Sequence, residues 1–252
     1  MPGKRSRNHI VKSISDVTSL LEDTFPDVDD LLFRGQREDW PMLPKIARIR
    51  LRPGMSLLKT ERRMLSDFKL QALSFVDLVP GSDWEWLTLA QHYGMPTRLL
   101  DWTSNPLAAL WFAVENPADT PCPPKQSKPP AVVWVFHPTG DDYVNELSSA
   151  SPFSGERTRV FRPKHIARRI IAQSGWFTVH KYIRSKKGFL ALERMSRYKR
   201  ALTKIIVPAE SFADIRYELD RCGVNAASML TDLSGLSHHI EWLHSLLEDE
   251  VE

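Results

Sequence analysis

In "SISDVTSLLEDTF", Ile14, Val17, Leu20 and Leu21 fall at helical spacing, with Ser13 or Ser15 available as the N-cap. A helix is predicted there. "LLFRGQ" begins apolar and ends on polar residues around Gly35, the pattern of a short strand. "SLLKTERRMLSDFKLQALSFV" reads as a long amphipathic helix. "DWEWLTLAQHY" reads as a second, which Gly94 terminates in the left-handed conformation and Pro96 prevents from resuming. Asn105 as cap and Pro106 in the first turn then open the apolar helix "LAALWFAVE". Arg98 to Ser104 are therefore an extended or turning stretch that ends at a helix N-terminus.

Residues 117–130 hold six of the eighteen prolines and can form neither helix nor central strand, so they make an exposed loop. Beyond it, β-branched and aromatic residues cluster in "AVVWVFH", "GWFTVH" and "LTKIIVP", which predicts three strands. "ESFADIRYELDRCGV" and "DLSGLSHHIEWLHSLL" close the chain as helices. The order implies an α+β fold: one domain over residues 1–252, helical from about 10 to 115, sheet-rich from about 131 to 210 and helical again over 211–250. Its sheet is assembled from strands distant in sequence.

At 252 residues and 42% hydrophobic, the chain can bury one sizeable core or two modest ones. No run approaches the roughly 20 apolar residues of a membrane span, and "MPGKRSRNHI" leads into Lys12 and Ser13 rather than an apolar signal core. A cytoplasmic protein without a membrane partner is expected. Cys122 and Cys222 have no C-x-x-C spacing and are read as reduced thiols. His238, His239 and His244 lie near Glu241, but no two of these histidines have the i, i+4 spacing that shares an ion, so no metal is expected.

The net charge of +3 is unevenly spread. Arg157 to Lys204 carry fifteen basic residues against one acid, Glu193, whereas Ile205 to Glu252 carry two against ten. A basic middle between acidic flanks suggests a face that attracts phosphates, with Arg157, Arg159, Arg162, Lys164, Arg168 and Arg169 as candidate contacts to RNA or DNA. The alternative is a solvated surface neutralised by the acidic tail folding back. A neutralising partner protein on that tail is a further expectation.

No G-x-x-x-x-G-K-[ST] loop or G-x-G-x-x-G fingerprint is present, so phosphate chemistry must come from other residues. Arg34 stands at a strand end and offers a bidentate fork; Gly35 beside it would let a planar ligand approach the backbone. Equally, Arg34 could form a structural ion pair with Asp101 or Glu38. "QHYGMPTRLLDWTSNP" gathers Gln91, His92, Arg98, Asp101, Thr103 and Ser104 ahead of the apolar helix, where Arg98 and Asp101 supply complementary charges. The helix end offers free N–H groups to a phosphate or ribose oxygen unless Ser104 or Asn105 caps it.

"LFRGQR" followed by "QHYGMPTRLLDWTSNPLAALWFA" resembles the FRG domain family, named for its Phe-Arg-Gly tripeptide, of bacterial and phage proteins. "RRIIAQSGWFTVH" and "DLSGL" extend that resemblance from about Leu32 to Trp242. A second resemblance is to ADP-ribosyltransferases of the Arg-Ser-Glu type. Phe33-Arg34-Gly35 is similar to their first motif, and Trp102-Thr103-Ser104 with Ala108, Ala109 and Phe112 to their second.

The resemblance implies a split, mixed sheet and NAD as substrate, in a toxin or phage-defence setting. Arg34 would hold the diphosphate, Phe33 and Gly35 the nicotinamide, and Thr103 or Ser104 the ribose region. His92, Arg98 and Gln91 would complete the cradle, with Phe177 or Trp176 stacking on nicotinamide. The catalytic glutamate of that type is missing: aligning "GWFTV" brings Arg168 and Arg169 near its position. Asp101, Glu156 or Glu210 is the replacement acid, Asp101 preferred because it lies between the two motifs, with Gln173 a neutral substitute. The alternative is a non-catalytic nucleotide or nucleic-acid binding module on the same fold.

Overall fold

The computed structural model describes residues 9–117, 128–144, 151–163 and 174–250. Its centre is a seven-stranded sheet built from β1 (His9–Ile10), β2 (Leu32–Gln36), β3 (Leu99–Thr103), β4 (Ala131–Phe136), β5 (Arg159–Phe161), β6 (Gly175–Val179) and β7 (Leu202–Val207). The spatial order is β1-β7-β4-β2-β3-β6-β5. Among the described strand pairs only β1–β7 is parallel, so the sheet is mixed and the fold is α+β as expected. Within the stretch from Arg98 to Ser104, Leu99–Thr103 form a strand near the middle of this sheet. β1 and β5 are too short to leave a periodic signal, and their pairing partners support them.

Helices α1 (Ile14–Thr24), α2 (Leu57–Ala72), α3 (Asp83–His92), α4 (Pro106–Val114), α5 (Phe212–Arg221), α6 (Ala226–Leu230) and α7 (Leu233–His244) cover the sheet and the C-terminal end. Their ends follow the sequence chemistry. The Ser13 hydroxyl accepts the Asp16 N–H, Gly94 takes φ 81° after α3, and Asn105 caps α4. α1, α4 and α5 bury Phe33, Val133, Val135 and Ile205 in one core. α2 and α3 bury Leu99, Phe177 and Val179 in another. The opposite sheet face, with Leu100, Trp102, Trp134 and Phe136, is covered by Met42, Leu192 and Tyr198 from irregular segments.

The two halves of the sheet meet at β2 and β3. β3 pairs with β6 over five residues and β2 with β4 over five, but β2 and β3 share only Phe33↔Thr103. Backbone pairing stops there, and side chains take its place. Arg34 Nη1 donates to the Asp101 carbonyl oxygen at 2.8 Å, across the gap that the missing ladder leaves.

Candidate functional site

A cavity of about 370 Å³ opens where β2 and β3 part. Arg34 and Gln36 come from β2, Asp101 and Thr103 from β3, Gln91 and His92 from the end of α3, and Trp176 and Phe177 from β6. Trp40, Leu43 and Arg48, from the irregular segment after β2, complete the wall. That segment is tied down at three points. Gln36 Nε2 donates to the Trp40 carbonyl, Glu193 accepts the Met42 N–H, and Lys204 Nζ holds Asp39 at 2.6 Å.

Asp101 is the centre of the polar network. Its carboxylate accepts from Gln91 Nε2 at 3.1 and 3.3 Å and lies 3.8 Å from Arg34 Nη1. Gln91 is itself oriented by the Thr97 hydroxyl, which donates to its Oε1 at 2.6 Å while accepting the Leu99 N–H. This chain leaves the Asp101 side chain 59% exposed, with lone pairs free for a ligand. Burial pulls the Arg34 pKa below its ordinary value and Arg48 pulls the same way, against Asp101. An arginine remains a cation under such a shift, so the cavity combines positive charge at Arg34 and Arg48 with one carboxylate.

Aromatic faces supply the rest. Trp176 is half-buried and carries the Arg162 guanidinium 5.1 Å above its ring. Phe177 is 5% exposed and belongs to the core beneath α2 and α3, so Trp176 is the aromatic of that pair that presents a face. Trp134 lies in register between Arg34 and Lys204, and Lys204 Nζ sits 4.8 Å from its ring.

Several expected residues take other places. Arg98 is 2% exposed and does not line this cavity; its Nε and Nη2 donate to Glu61 of α2 at 2.9 and 2.6 Å, and Phe153 lies over the guanidinium. It therefore does not complement Asp101. A strand sends neighbouring side chains to different faces, and the nearest carboxylate on the Arg98 side is Glu61. Gly35 lines the cavity, but the space that its missing side chain leaves is filled by α4. A Cβ there would stand 1.8 Å from the Ala109 carbonyl oxygen and 2.8 Å from the Ala113 nitrogen, so the glycine lets α4 lie directly on β2. The end of α4 is closed as well, because Asn105 Oδ1 accepts the Leu107 and Ala108 N–H groups.

The Thr103 hydroxyl faces the cavity wall but accepts the Asn105 N–H at 3.0 Å, shaping the turn into α4. Ser104 is exposed and pairs through its backbone with Ser174. Phe33 lines the cavity from the core beneath α4. Glu156 belongs to a second cavity of about 310 Å³ with Arg157, Arg159, Lys181 and His180, while Glu210 lies in the short turn after β7. Lys164, Arg168, Arg169 and Gln173 lie outside the described residues.

The acidic tail does not fold onto the basic middle through its best-placed groups. Asp249 and Glu250 pair with Arg216 at 2.5 and 2.8 Å, whereas Arg197 and Lys204 pair with Asp142 and Asp39. Trp40, Arg48 and Gln36 were not singled out in the sequence. "EDWPMLPKIARIR" has no helical or strand period, and an aromatic between acids and prolines was the only hint of a wall. Among the described residues, no helix is long and apolar enough to cross a membrane.

Residues 29–121 match the family model of the FRG domain. No curated protein and no solved structure matches the chain. The matched stretch supplies all walls of the first cavity except those from β6.

Proposed function

We propose, on the premise that residues 29–121 are an FRG domain, that the cavity between β2 and β3 binds a nucleotide and that NAD is its substrate. The observation that carries this reading is the pairing of Arg34 with Asp101 in a cavity with tryptophan walls, where the ladder between β2 and β3 is reduced to a single registered pair. A volume of about 370 Å³ suits one nucleotide half of a dinucleotide, with the other half along the open side towards Arg48 and Arg162. Arg34 and Arg48 take phosphate oxygens, and Trp176 or Trp40 takes a planar ring.

Asp101 is the acid this chain uses beside the ribose. Its negative charge is held in place by Gln91 before substrate arrives, the preorganisation that electrostatic catalysis requires. The bond between nicotinamide and ribose breaks, nicotinamide leaves with the bonding pair, and an oxygen or nitrogen of the acceptor adds to the same carbon and gives up its proton. Arg162 over Trp176 extends the basic surface to the cavity edge, which favours a phosphate-rich acceptor, RNA or DNA, over an acidic protein.

A non-catalytic nucleotide-binding module is the second reading. It is favoured by the carboxylate of Asp101 already being engaged by Gln91 and by the Arg34 charge, as an architectural group would be. Calorimetric titration of NAD into wild type, Arg34→Ala and Asp101→Asn, with nicotinamide release measured on the same samples with and without RNA or DNA, separates the two. The enzyme reading expects binding lost in Arg34→Ala and release lost in Asp101→Asn with binding kept. Binding without release in the wild type supports the module, and no binding at all removes both.

A further inference from the structure

Two further cavities adjoin at the β5 edge of the sheet. One, of about 310 Å³, is lined by Arg157, by Arg159 of β5 and by Lys181 just after β6. The other, of about 860 Å³, is lined by Lys181 again, by Arg184 and by Arg62 of α2. Ser154, Gly155 and Glu156 also belong to both, so the two make one continuous groove. None of these residues lines the cavity between β2 and β3.

The groove gathers charge that the rest of the fold neutralises. Elsewhere Arg98 meets Glu61, Arg197 meets Asp142, Lys204 meets Asp39, and Arg216 meets Asp249 and Glu250. Here five cations stand against Glu156, the only carboxylate among the described residues of the lining. Arg157 and Arg159 are half-buried, and neither has an ion pair with a described carboxylate. Arg157 Nη2 donates to the Asp141 carbonyl, while its Nε is buried with no partner among the described residues. Like charges held together in this way repel, and an anion in the groove relieves the repulsion.

The cations are held on fixed elements. Arg159 stands in register with Val179, and the Lys181 N–H donates to the Thr158 hydroxyl at 3.1 Å. Ile183 bridges Gly188 and closes a tight loop that carries Arg184. The Arg62 guanidinium lies 5.4 Å over the Phe153 ring. Two half-buried rings share the walls, Trp84 in the first cavity and Tyr182 in the second.

We propose that this groove binds single-stranded nucleic acid, with phosphates on the five cations and bases against Trp84 and Tyr182. Arginine forks match phosphate oxygens, and aromatic rings beside them give bases a stacking surface that an acidic peptide would not use. A duplex is read by a helix or ribbon that enters its groove, whereas here charges and rings are recessed, the arrangement that tracks one flexible strand. The groove is separate from the NAD cavity and does not rest on that reading.

Fluorescence anisotropy with a labelled single strand of about 12 nucleotides, as RNA and as DNA, and with the matching duplex tests this. The wild type is expected to prefer the single strand, with log K falling against log salt by about 0.7 for each phosphate contacted. Arg62→Glu, Lys181→Glu and Arg184→Glu, all at exposed positions, should each weaken binding about tenfold at unchanged melting temperature. Tyr182→Leu should weaken it about fivefold or more at unchanged salt slope. Lys12→Glu, exposed beside β1 at the opposite edge of the sheet, makes the same change of charge and should leave binding within about twofold. NAD affinity should be the same in all these variants and in the wild type. Binding that is absent or independent of salt, an equal loss in Lys12→Glu, a duplex bound as tightly as the strand, or displacement by polyglutamate as efficient as by unlabelled strand overturns the proposal.

Discussion

Replacing Gly35 with alanine distinguishes a glycine that packs a helix from one that admits a ligand. The added Cβ would lie 1.8 Å from the Ala109 carbonyl oxygen, where ordinary contact begins at 3.4 Å, so β2 and α4 must separate by about 1.6 Å. The obstacle is backbone, with the Ala113 nitrogen behind it at 2.8 Å, and trimming a neighbouring side chain gives no relief. α4 cannot slide away, because Ala108, Ala109, Leu110, Ala113 and Val114 are completely buried between the sheet and α5. Overpacking at such a site costs about 3 kcal/mol or more. For a chain of this size that lowers the melting temperature by about 6–12 °C. Urea denaturation gives the free energy directly and should show a lower midpoint at unchanged slope. Arg34→Ala is the control: it should lose NAD binding with a much smaller loss of stability. If Gly35→Ala keeps wild-type stability to within about 0.5 kcal/mol while losing NAD affinity, the packing argument is wrong and Gly35 belongs to the binding surface.

The remaining predictions concern groups on other faces. Arg98→Met breaks a buried ion pair and should cost about 3–5 kcal/mol in denaturant, with Arg98→Met/Glu61→Leu recovering most of it; loss of NAD affinity at unchanged stability would instead return Arg98 to the site. His180 is completely buried, and burial pushes its pKa down to about 3 from 6.5. The unfolded chain therefore takes up this proton below pH 6.5 while the folded chain does not until about pH 3, so stability falls as pH drops through that window, by up to about 1.4 kcal/mol per unit. His180→Gln should show a shallower fall between pH 6.5 and 4.5, and equal slopes would refute the assignment. Arg162→Ala should weaken binding to single-stranded RNA and reduce the slope of log K against log salt by about 1, measured by fluorescence anisotropy; salt-independent binding by the wild type would remove the basic surface from the proposal.

The two carboxylate partners near β3 show where sequence reasoning reached its limit. Arg98 and Asp101 are three residues apart, and pairing them was the natural reading of a charged turn. With the backbone extended from Arg98 into β3 they part: Arg98 goes to Glu61, thirty-seven positions away in sequence, and Asp101 to Arg34, sixty-seven away. Arg34 with Asp101 is one of the two ion pairs that the sequence offers for Arg34, whereas no local pattern encodes Glu61. The candidate cavity was largely legible through Arg34, Gln91, His92 and Asp101, because polar residues beside apolar runs stand out against the period of a core. Trp40 and Arg48 were not, since they sit in a segment whose path is set by Asp39 on Lys204 and Glu193 on Met42.

The sequence by itself determined the helices α1 to α5 and α7 and the strands around Gly35, Val133, Phe177 and Ile205, because caps, glycine turns and hydrophobic period are local properties of the chain. The tertiary structure alone decided which strands adjoin. It set β2 beside β3 with a single registered pair and thereby opened the cavity between Arg34 and Asp101. Strand order is fixed by contacts between residues tens to hundreds of positions apart, whose loop-closure entropy and burial are properties of the whole fold. The role of Gly35 follows the same division. Its lack of a side chain is written in the sequence, but only the approach of α4 shows that the space is taken by a helix.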